Sequence, residues 1–291
     1  MKICITGVGG QLGQDCHQVL EQGGHEVFAF TSQQLDISQA EQVQEQVGAL
    51  QPEVLVNCAA YTAVDQCEQE QKRCLAVNGQ GAANLADACA LLGTRLIHIS
   101  TDYVFDGKKS VPEAYWEQEP VGPLSAYGRS KLAGEQAIVQ RLDNFLILRT
   151  AWLYGMGGNN FLKTMLRLAL ADSKRTIRVV NDQYGSLTWS MTLARQIARV
   201  LGSECTGIAH ATAEQYSTWF TAAKYFLEAM EVEYSLAPCT TAEYPTPAPR
   251  PRNSILENRR LKERGLHLMQ DWQADIDGFV ALYHDQLLAG Q

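Results

Sequence analysis

Short apolar runs alternate with helical patterns through the first half of the 291-residue chain. Runs of strand length fall at residues 2–6, 25–30, 54–58, 95–100 and 145–149. Apolar residues at helical spacing predict helices near residues 12–22, 39–50, 72–92 and 126–142. Nearly continuous apolar strands that alternate with helices are typical of a parallel sheet covered on both faces. The pattern therefore predicts an α/β fold with a Rossmann-type doubly wound parallel sheet.

The regular alternation loosens after about residue 155. The pattern there predicts one strand at 177–180 and helices near 159–171, 190–201, 217–231 and 273–288. Prolines between 244 and 254 favour a stiff extended path over a helix. We therefore expect a Rossmann domain over 1–155 and a smaller C-terminal lobe over 156–291. Some elements of that lobe, about 177–202, are expected to return to the first domain.

Composition and charge exclude several classes of partner. The chain is 46% hydrophobic, and its formal net charge is −8 with scattered lysines and arginines. This acidic balance argues against nucleic acid or an anionic membrane as the main partner. No run reads as a signal peptide or a membrane span. Eight cysteines without a CxxC pair predict a reducing cytoplasm, with no disulfide and no metal site.

A glycine-rich turn joins the first predicted strand to the first predicted helix. Gly7, Gly10 and Gly13 have a spacing that differs from the usual G-x-G-x-x-G of dinucleotide sites. Glycines let the backbone approach a pyrophosphate, and a helix N-terminus offers free N–H groups to it. The spacing alone is weak support, since a tight turn that binds nothing can show it. Its place on the first strand and helix predicts a dinucleotide site.

Polar residues end the fourth predicted strand, at the edge where open α/β sheets bind ligands. Thr101 and Asp102 lie there, and Tyr127 and Lys131 begin the next helix on one helix face. A lysine ammonium favours the phenolate, so we expect Lys131 to lower the pKa of Tyr127 from about 10 toward neutrality. Such a tyrosine can give a proton to a carbonyl oxygen as hydride reaches the carbon.

Six sequence segments resemble the motifs of a known protein family. They are GVGGQLG at 7–13, NCAAYTAVD at 57–65, STDYVFDG at 100–107, RTAWLYG at 149–155, NDQYG at 181–185 and RPRNS at 250–254. With the Tyr127/Lys131 pair, they resemble the extended short-chain dehydrogenase/reductase superfamily and, within it, the dTDP-4-dehydrorhamnose reductase family. The resemblance implies a cytoplasmic enzyme that uses NADPH or NADH to reduce the C4 ketone of dTDP-4-dehydro-β-L-rhamnose, giving dTDP-L-rhamnose.

The resemblance also implies roles for single residues. Tyr127 would donate the proton, Lys131 would hold the cofactor ribose, and Thr101 would bond the reacting oxygen. The implied cofactor-binding residues are Gly7, Gly10, Gln11, Leu12, Gly13, Asp36, Ile37, Ala60, Tyr61, Thr62, Tyr127 and Lys131. The implied substrate-binding residues are Thr101, Asp102, Tyr127, Trp152, Asn181, Gln183 and Arg250.

Some of these residues have plainer interpretations. Asp36 precedes Ser38-x-x-Glu41, a capping-box pattern, and could simply end a loop. Trp152 follows an apolar strand and could belong to the core, while Arg250 could be a solvated arginine. A guanidinium group nevertheless suits a nucleotide diphosphate. His98 lies inside an apolar strand, so we expect a satisfied core histidine there.

Two other functions compete with this activity. The first is that of another sugar-nucleotide enzyme of the same superfamily, such as a different reductase, an epimerase or a dehydratase. A 4,6-dehydratase is expected to carry Thr-Asp-Glu at the strand end, whereas Tyr103 follows Thr101 and Asp102 here. A non-catalytic regulatory subunit, such as that of methionine adenosyltransferase, also resembles this family and has an Arg-Pro-Arg-Asn stretch. This chain keeps the reductase segments at 57–65 and 181–185, and turnover with the keto sugar separates the two functions.

Departures from the family pattern give further expectations. Leu187 takes the place of a proline found in many members, so the loop after Tyr184 is expected to be less rigid. Some members form a dimer bridged by magnesium, at positions that correspond here to Asp15 and Met191. Since Met191 cannot bind magnesium, we expect a monomer or a weak homodimer without a bridging metal. The residues after the second strand select neither NADPH nor NADH.

Overall fold

The structure is a computed structural model that describes residues 1–290. Its centre is a six-stranded parallel sheet with the order β2-β1-β3-β4-β5-β8. The strands are β1 (Lys2–Thr6), β2 (Glu26–Phe30), β3 (Val54–Asn57), β4 (Arg95–Thr101), β5 (Phe145–Thr150) and β8 (Gly207–His210). The strand order reverses beside β1, as in a doubly wound sheet. The predicted Rossmann-type fold is therefore confirmed.

Helices cover both faces of this sheet. They are α1 (Gln11–Gln22), α2 (Ala40–Leu50), α3 (Val64–Gln69), α4 (Gln71–Leu75), α5 (Gly81–Leu92), α6 (Ala126–Arg141), α7 (Phe161–Ala171), α8 (Ser190–Val200), α9 (Trp219–Ala229), α10 (Arg259–Glu263) and α11 (Trp272–Ala289). On one face, α1 and α8 bury Leu12, Leu20 and Ile197 against the strands. On the other face, α2, α5 and α6 contribute Val47, Leu85 and other apolar residues to a second core.

The C-terminal lobe has its own apolar core, built mainly from α7, α9 and α11. The remaining strands are β6 (Ile177–Val180), β7 (Tyr184–Gly185), β9 (Ser217–Thr218), β10 (Leu236–Cys239) and β11 (Asn253–Ser254). Strand β6 pairs with β10, and β7 lies between β9 and β11. Within the stretch 177–202, which we expected to return to the Rossmann domain, only α8 packs against α1.

Several elements differ from the prediction. The helix predicted at 72–92 is divided into α4, a π-helical turn at Ala76–Gln80, and α5. Strand β8 was missed because the segment Gly-Ile-Ala-His is short and has no apolar run, although it completes the sheet beside β5. In residues 1–290, no helix combines the length and the apolar character that crossing a membrane requires.

Candidate active site

A cleft of about 820 Å³ opens at the carboxyl ends of the sheet strands. The residues that follow β1, β3, β4 and β5 line it, together with residues from α6 and the C-terminal lobe. Binding at this edge is the general rule for open α/β sheets. The cleft brings together the glycine-rich loop, Thr101, Asp102, Tyr127, Lys131 and Trp152.

The glycine-rich loop forms one end of the cleft. Gly7 has φ = 78°, and a Cβ atom there would lie 2.5 Å from the backbone nitrogen of Ala59, so only glycine fits. Helix α1 then starts at Gln11 behind Gly10, with no side chain capping its first N–H groups. These free N–H groups and the positive end of the helix dipole form a ready anion site. The geometry suits a diphosphate.

Asp36 and Ile37 line the cleft beyond this loop. Asp36 Oδ1 accepts hydrogen bonds from the backbone N–H (3.0 Å) and the hydroxyl group (2.8 Å) of Ser38. The possible capping box at Ser38 is absent, because α2 begins after Gln39 without a side-chain cap. Sequence reasoning missed Asn84, whose side-chain amide donates to the carbonyl of Ile37 at 2.9 Å. Asn84 therefore fixes the backbone at this end of the cleft.

Residues after β3 form the opposite wall. Ala60 and Thr62 line the cleft, whereas the side chain of Tyr61 is directed away from it. The Tyr61 hydroxyl donates to Glu70 Oε2 at 2.8 Å, on an exposed surface. Only the backbone of Tyr61 is held near the site, since its N–H donates to Asn78 Oδ1 at 2.8 Å. Asn78 lies in the π-helical turn, and no pattern in the sequence indicated its role.

Tyr127 begins α6, where the Ser125 hydroxyl caps the helix by accepting from the N–H of Gly128. Burial raises the pKa of Tyr127 above its ordinary value, and the carboxyl group of Asp102 adds to this. The expected decrease toward neutral pH is therefore wrong for this structure, because burial dominates. Tyr127 keeps its proton at neutral pH and can act as an acid.

Lys131 lies one helical turn after Tyr127 and is 2% exposed. Its Nζ atom donates to the carbonyl of Ile99 at 2.7 Å and lies 3.3 Å from His98 Nε2. Burial lowers the pKa of Lys131 to about 8, and Glu135 opposes this decrease. His98 is buried and hydrogen-bonded on both ring nitrogens, as expected of a satisfied core histidine.

Thr101 and Asp102 form the floor of the cleft beside Tyr127. The Thr101 hydroxyl donates to Asp102 Oδ1 at 2.9 Å, so it can only accept from Tyr127. Asp102 Oδ2 is buried and has no hydrogen-bond partner. Burial raises the pKa of Asp102 to about 6, while the nearby Ser254 hydroxyl, which also has no hydrogen-bond partner, and the Thr101 hydroxyl oppose the increase. A buried acceptor without a partner suits a hydroxyl group of a ligand.

Trp152 closes the cleft on the side of the C-terminal lobe. Its ring stacks on Trp219 with a centroid distance of 3.7 Å and an interplanar angle of 11°. Trp152 has φ = 48°, a conformation that is rare for residues other than glycine. Leu187 also lines this wall and is buried. Sequence reasoning missed Trp219, which lies 67 residues beyond Trp152 in the chain.

Three predicted substrate-binding residues do not line the cleft. Asn181 Oδ1 accepts from the Thr218 hydroxyl at 2.6 Å, and Arg250 pairs with Asp65 at 2.8 Å. Gln183 Oε1 accepts from the indole N–H of Trp219 at 3.1 Å, so it orients a residue of the cleft wall. Direct contact of Asn181, Gln183 and Arg250 with substrate stays a prediction.

The two positions linked to a magnesium bridge lie inside the protein. Asp15 is 7% exposed and Met191 is 3% exposed. The hydroxyl group of Ser190 donates to Asp15 Oδ2. Burial raises the pKa of Asp15, although this hydrogen bond opposes the increase. Asp15 therefore joins α1 to α8 within the chain.

A Rossmann sheet, an uncapped glycine-rich helix start and a buried Tyr-x-x-x-Lys pair define an oxidoreductase of the short-chain dehydrogenase/reductase class. The family model described as RmlD substrate binding domain matches residues 1–284, and the chain belongs to this family. The family-level resemblance of the sequence motifs is thus confirmed.

Individual relatives agree with this assignment. The dTDP-4-dehydrorhamnose reductase of Streptomyces griseus is 40% identical over 286 residues, covering 96% of this chain and 93% of the relative. The dTDP-4-keto-6-deoxy-D-glucose reductase of Streptomyces niveus is 37% identical over 270 residues, covering 92% of each. The crystal structure of dTDP-4-dehydrorhamnose reductase from Bacillus anthracis in complex with NADP is 37% identical with a TM-score of 0.93, covering 97% of this chain and 99% of that one.

Proposed function

We propose that this protein reduces the C4 ketone of dTDP-4-dehydro-β-L-rhamnose to dTDP-L-rhamnose with NADPH or NADH. The observation that carries the proposal is the buried, protonated Tyr127 beside Thr101, at the strand edge that faces the dinucleotide loop. The relative from Streptomyces griseus and the Bacillus anthracis structure, both dTDP-4-dehydrorhamnose reductases, support this substrate.

The chain fits a dinucleotide at the glycine-rich loop. The first N–H groups of α1 are uncapped, and Gly7 leaves no room for a side chain near Ala59. When bound, the reduced nicotinamide supplies a hydride to the ketone carbon. We assign the diphosphate to Gly7, Gly10, Gln11, Leu12 and Gly13, and the adenine side to Asp36 and Ile37. Ala60, the backbone of Tyr61, and Thr62 form the nicotinamide side, with Lys131 at the ribose.

Tyr127 supplies the proton of the reaction. As the ketone carbon gains a C–H bond, the Tyr127 hydroxyl transfers its proton to the C4 oxygen, and the carbonyl becomes a hydroxyl. The resulting phenolate regains a proton from solvent. Thr101 accepts from Tyr127 because its own hydrogen is donated to Asp102. The unpartnered Asp102 Oδ2 then accepts from a sugar hydroxyl, which orients the substrate.

The site argues against the two competing functions. Tyr103 occupies the place of the dehydratase glutamate, and its ring packs edge-on against Tyr127 with a centroid distance of 5.5 Å. It supplies no carboxylate for the elimination of water. A regulatory subunit needs no proton donor, whereas this chain positions Tyr127, Lys131 and Thr101 around one cleft. Both facts favour a reductase.

Partners and location follow from the same proposal. We infer that residues 1–155 mainly bind the cofactor and that the C-terminal lobe mainly binds the sugar nucleotide. The net charge of −8 supports neither nucleic acid nor an anionic membrane as a partner. The eight cysteines are free thiols, which supports a reducing cytoplasm. We further propose a monomer or a weak homodimer without a bridging magnesium ion.

The choice of keto sugar is tested by competition. Because the Streptomyces niveus relative is a dTDP-4-keto-6-deoxy-D-glucose reductase, that sugar nucleotide is the matched alternative. We expect kcat/KM with NADPH to be at least about tenfold higher for dTDP-4-dehydro-L-rhamnose, a difference of about 1.4 kcal/mol. Equal values of kcat/KM for the two sugar nucleotides, or a higher value for the alternative, would contradict the proposed substrate. The proposed reductase chemistry would still stand.

A further inference from the structure

A chain of four buried polar side chains lies beneath the cleft. It runs from Thr6 in β1 through Asn57 in β3 and His98 in β4 to Lys131 in α6. Each of these residues is at most 2% exposed. The Thr6 hydroxyl lies 2.7 Å from Asn57 Oδ1, Asn57 Nδ2 lies 2.9 Å from His98 Nδ1, and His98 Nε2 lies 3.3 Å from Lys131 Nζ.

The direction of these hydrogen bonds is fixed at Asn57. The backbone N–H of Ala59 is a donor and points at Asn57 Oδ1 at 3.0 Å, so this atom must be the amide oxygen. The nitrogen of the same amide therefore faces His98 and donates to Nδ1. A neutral imidazole that accepts on Nδ1 carries its hydrogen on Nε2. Burial and the neighbouring Lys131 lower the pKa of His98 well below its ordinary value, so the ring is neutral.

The hydrogen on His98 Nε2 points toward Lys131 Nζ. An ammonium group has three donors and no lone pair, so it cannot accept this hydrogen bond. A neutral amine can accept it and can still donate to the carbonyl of Ile99, which lies 2.7 Å away. The tautomer that Asn57 imposes on His98 therefore favours the neutral form of Lys131.

Other groups around Lys131 do not reverse this preference. The titratable groups that face it are His98 on β4, Cys58 after β3, Cys74 on α4, and Tyr127 and Glu135 on α6. Glu135 is the one carboxylate among them, and its two oxygens accept from the guanidinium group of Arg149 at 2.9 and 2.6 Å. Its negative charge is thus largely balanced by Arg149.

We propose that His98 is a positioning residue, held by Asn57 in the Nε2–H tautomer, which favours the neutral amine form of Lys131 in the free protein, and that binding of the anionic dinucleotide favours the ammonium form. This inference rests on the proposed cofactor site. The diphosphate adds negative charge, and ribose hydroxyl oxygens accept hydrogen bonds from an ammonium group. Proton uptake by Lys131 would make cofactor affinity fall as the pH rises.

The first test needs neither cofactor nor substrate. The ¹³Cε resonances of the lysines are followed by NMR against pH in the free protein, and the Lys131→Met spectrum assigns the signal of Lys131. We expect a midpoint near 8 for Lys131. A midpoint near the ordinary lysine value of about 10.4 would overturn the proposal.

Variants of Asn57 and Thr6 separate the tautomer from mere packing. In Asn57→Asp, the carboxylate accepts from Ala59 and also requires a hydrogen on His98 Nδ1, which leaves a lone pair on Nε2 for the Lys131 ammonium. We expect the Lys131 midpoint to rise by at least about one pH unit, because the tautomer of His98 changes and the new carboxylate also favours the ammonium form. Thr6→Val removes the first hydrogen bond of the series that leads to Lys131. It leaves the contact with the Ala59 N–H that orients Asn57, so the midpoint of the Lys131 titration should stay unchanged. Equal midpoints in wild type and Asn57→Asp would overturn the role of His98.

Proton uptake is the second readout. Calorimetric binding of NADP⁺ at about pH 9, in buffers of different ionisation enthalpy, counts the protons that the complex gains. We expect uptake approaching one proton for wild type and Thr6→Val, and a clear loss of uptake for Asn57→Asp. Binding without uptake in wild type would contradict the proposal. No binding of NADP⁺ or NADPH would instead refute the proposed cofactor site, while the NMR result would still stand.

Discussion

Tyr127 is held so that its proton stays on the oxygen until a ketone arrives. Burial raises its pKa, and the adjacent Thr101 hydroxyl gives its own hydrogen to Asp102, so toward Tyr127 it can serve only as an acceptor. Lys131 makes its hydrogen bonds to Ile99 and His98 and does not bond the phenol oxygen. At the residue scale, the site is therefore built around a general acid.

Removal of the Tyr127 hydroxyl should slow the reaction without loosening the cofactor. Tyr127→Phe keeps the ring, and since general acid catalysis supplies about 10²- to 10⁴-fold, kcat should fall by that order. The dissociation constant of NADPH, measured by fluorescence titration, should stay within about twofold. Tyr103→Phe is the matched control, because it removes a hydroxyl from the adjacent, partly buried ring. Turnover of Tyr127→Phe within about threefold of wild type would assign the proton to another group.

Single elements determine how the cleft wall is assembled. Strand β7 brings Gly185 against the Trp152 ring, and β9 leads directly into α9, which presents Trp219 for the stack. Helices α8 and α11 meet through the Thr192 hydroxyl, which donates to Asp275 Oδ1 at 2.6 Å. These contacts give two predictions, one for binding and one for stability.

Gly185→Ala should weaken sugar-nucleotide binding. A Cβ atom at Gly185 would lie 2.5 Å from Trp152 Cε2, so the Trp152 ring must move. We expect KM for the keto sugar to rise about tenfold, with little change in the affinity for NADPH. Gly48→Ala in α2 is the control, because its Cβ would meet no atom within 4 Å. An unchanged KM in Gly185→Ala would remove Trp152 from the substrate site.

Asp275 should make folding less favourable as the pH rises. Burial raises its pKa from 3.8 to about 7, so the folded state keeps a proton that the unfolded chain loses above pH 3.8. The contribution of Asp275 to the free energy of unfolding is therefore most favourable below pH 3.8 and becomes less favourable as the pH rises to about 7. Asp275→Asn does not titrate, so it should gain about 1–3 kcal/mol over wild type between pH 4 and pH 8.

Chemical denaturation at pH 4 and pH 8 measures this difference in the free energy of unfolding. Asp285→Asn provides the control on the same helix, because the side chain of Asp285 is fully exposed. Its effect should be small and nearly the same at both pH values. A pH-independent effect of Asp275→Asn would mean that Asp275 is already ionised in the folded protein.

The elements differ in how well the sequence predicts them. Strands β1, β3, β4 and β5 are apolar runs between turn residues, and local composition is sufficient to place them. Strand β8 has a four-residue mixed sequence, and its pairing with β5 depends on the finished sheet. The Tyr127/Lys131 pair and the glycine-rich loop are local motifs and were found. Asn78, Asn84 and Trp219 act through contacts across long stretches of chain, which no local pattern encodes.

On the scale of the whole molecule, the chain passes more than once between the Rossmann sheet and the C-terminal lobe. After the lobe strands β6 and β7, the chain returns to the Rossmann sheet through α8 and β8, then leaves it again for α9. The cleft lies where these passages meet, so residues from both parts line it. Asp15 is buried where α1 meets α8, and Met191 is buried in the apolar core of the C-terminal lobe.

The molecular mass in solution should therefore not depend on magnesium. Asp15 is bonded to Ser190, and the Met191 thioether is a poor partner for a hard cation that prefers oxygen ligands. Light scattering with magnesium and with a chelator should give the same mass, that of a monomer or a weak homodimer. A dimer that dissociates only when the chelator is added would show that other residues bridge it.

Transfer of a labelled hydride tests the central claim most directly. The protein is incubated with dTDP-4-dehydro-L-rhamnose and NADPH that carries deuterium at the transferring position of the nicotinamide, and the product is examined by NMR and mass spectrometry. We predict dTDP-L-rhamnose with one deuterium, bonded to C4 of the sugar, and one NADP⁺ formed for each product molecule. Oxidation of NADPH without deuterium at C4, or no turnover of this keto sugar, would contradict the account.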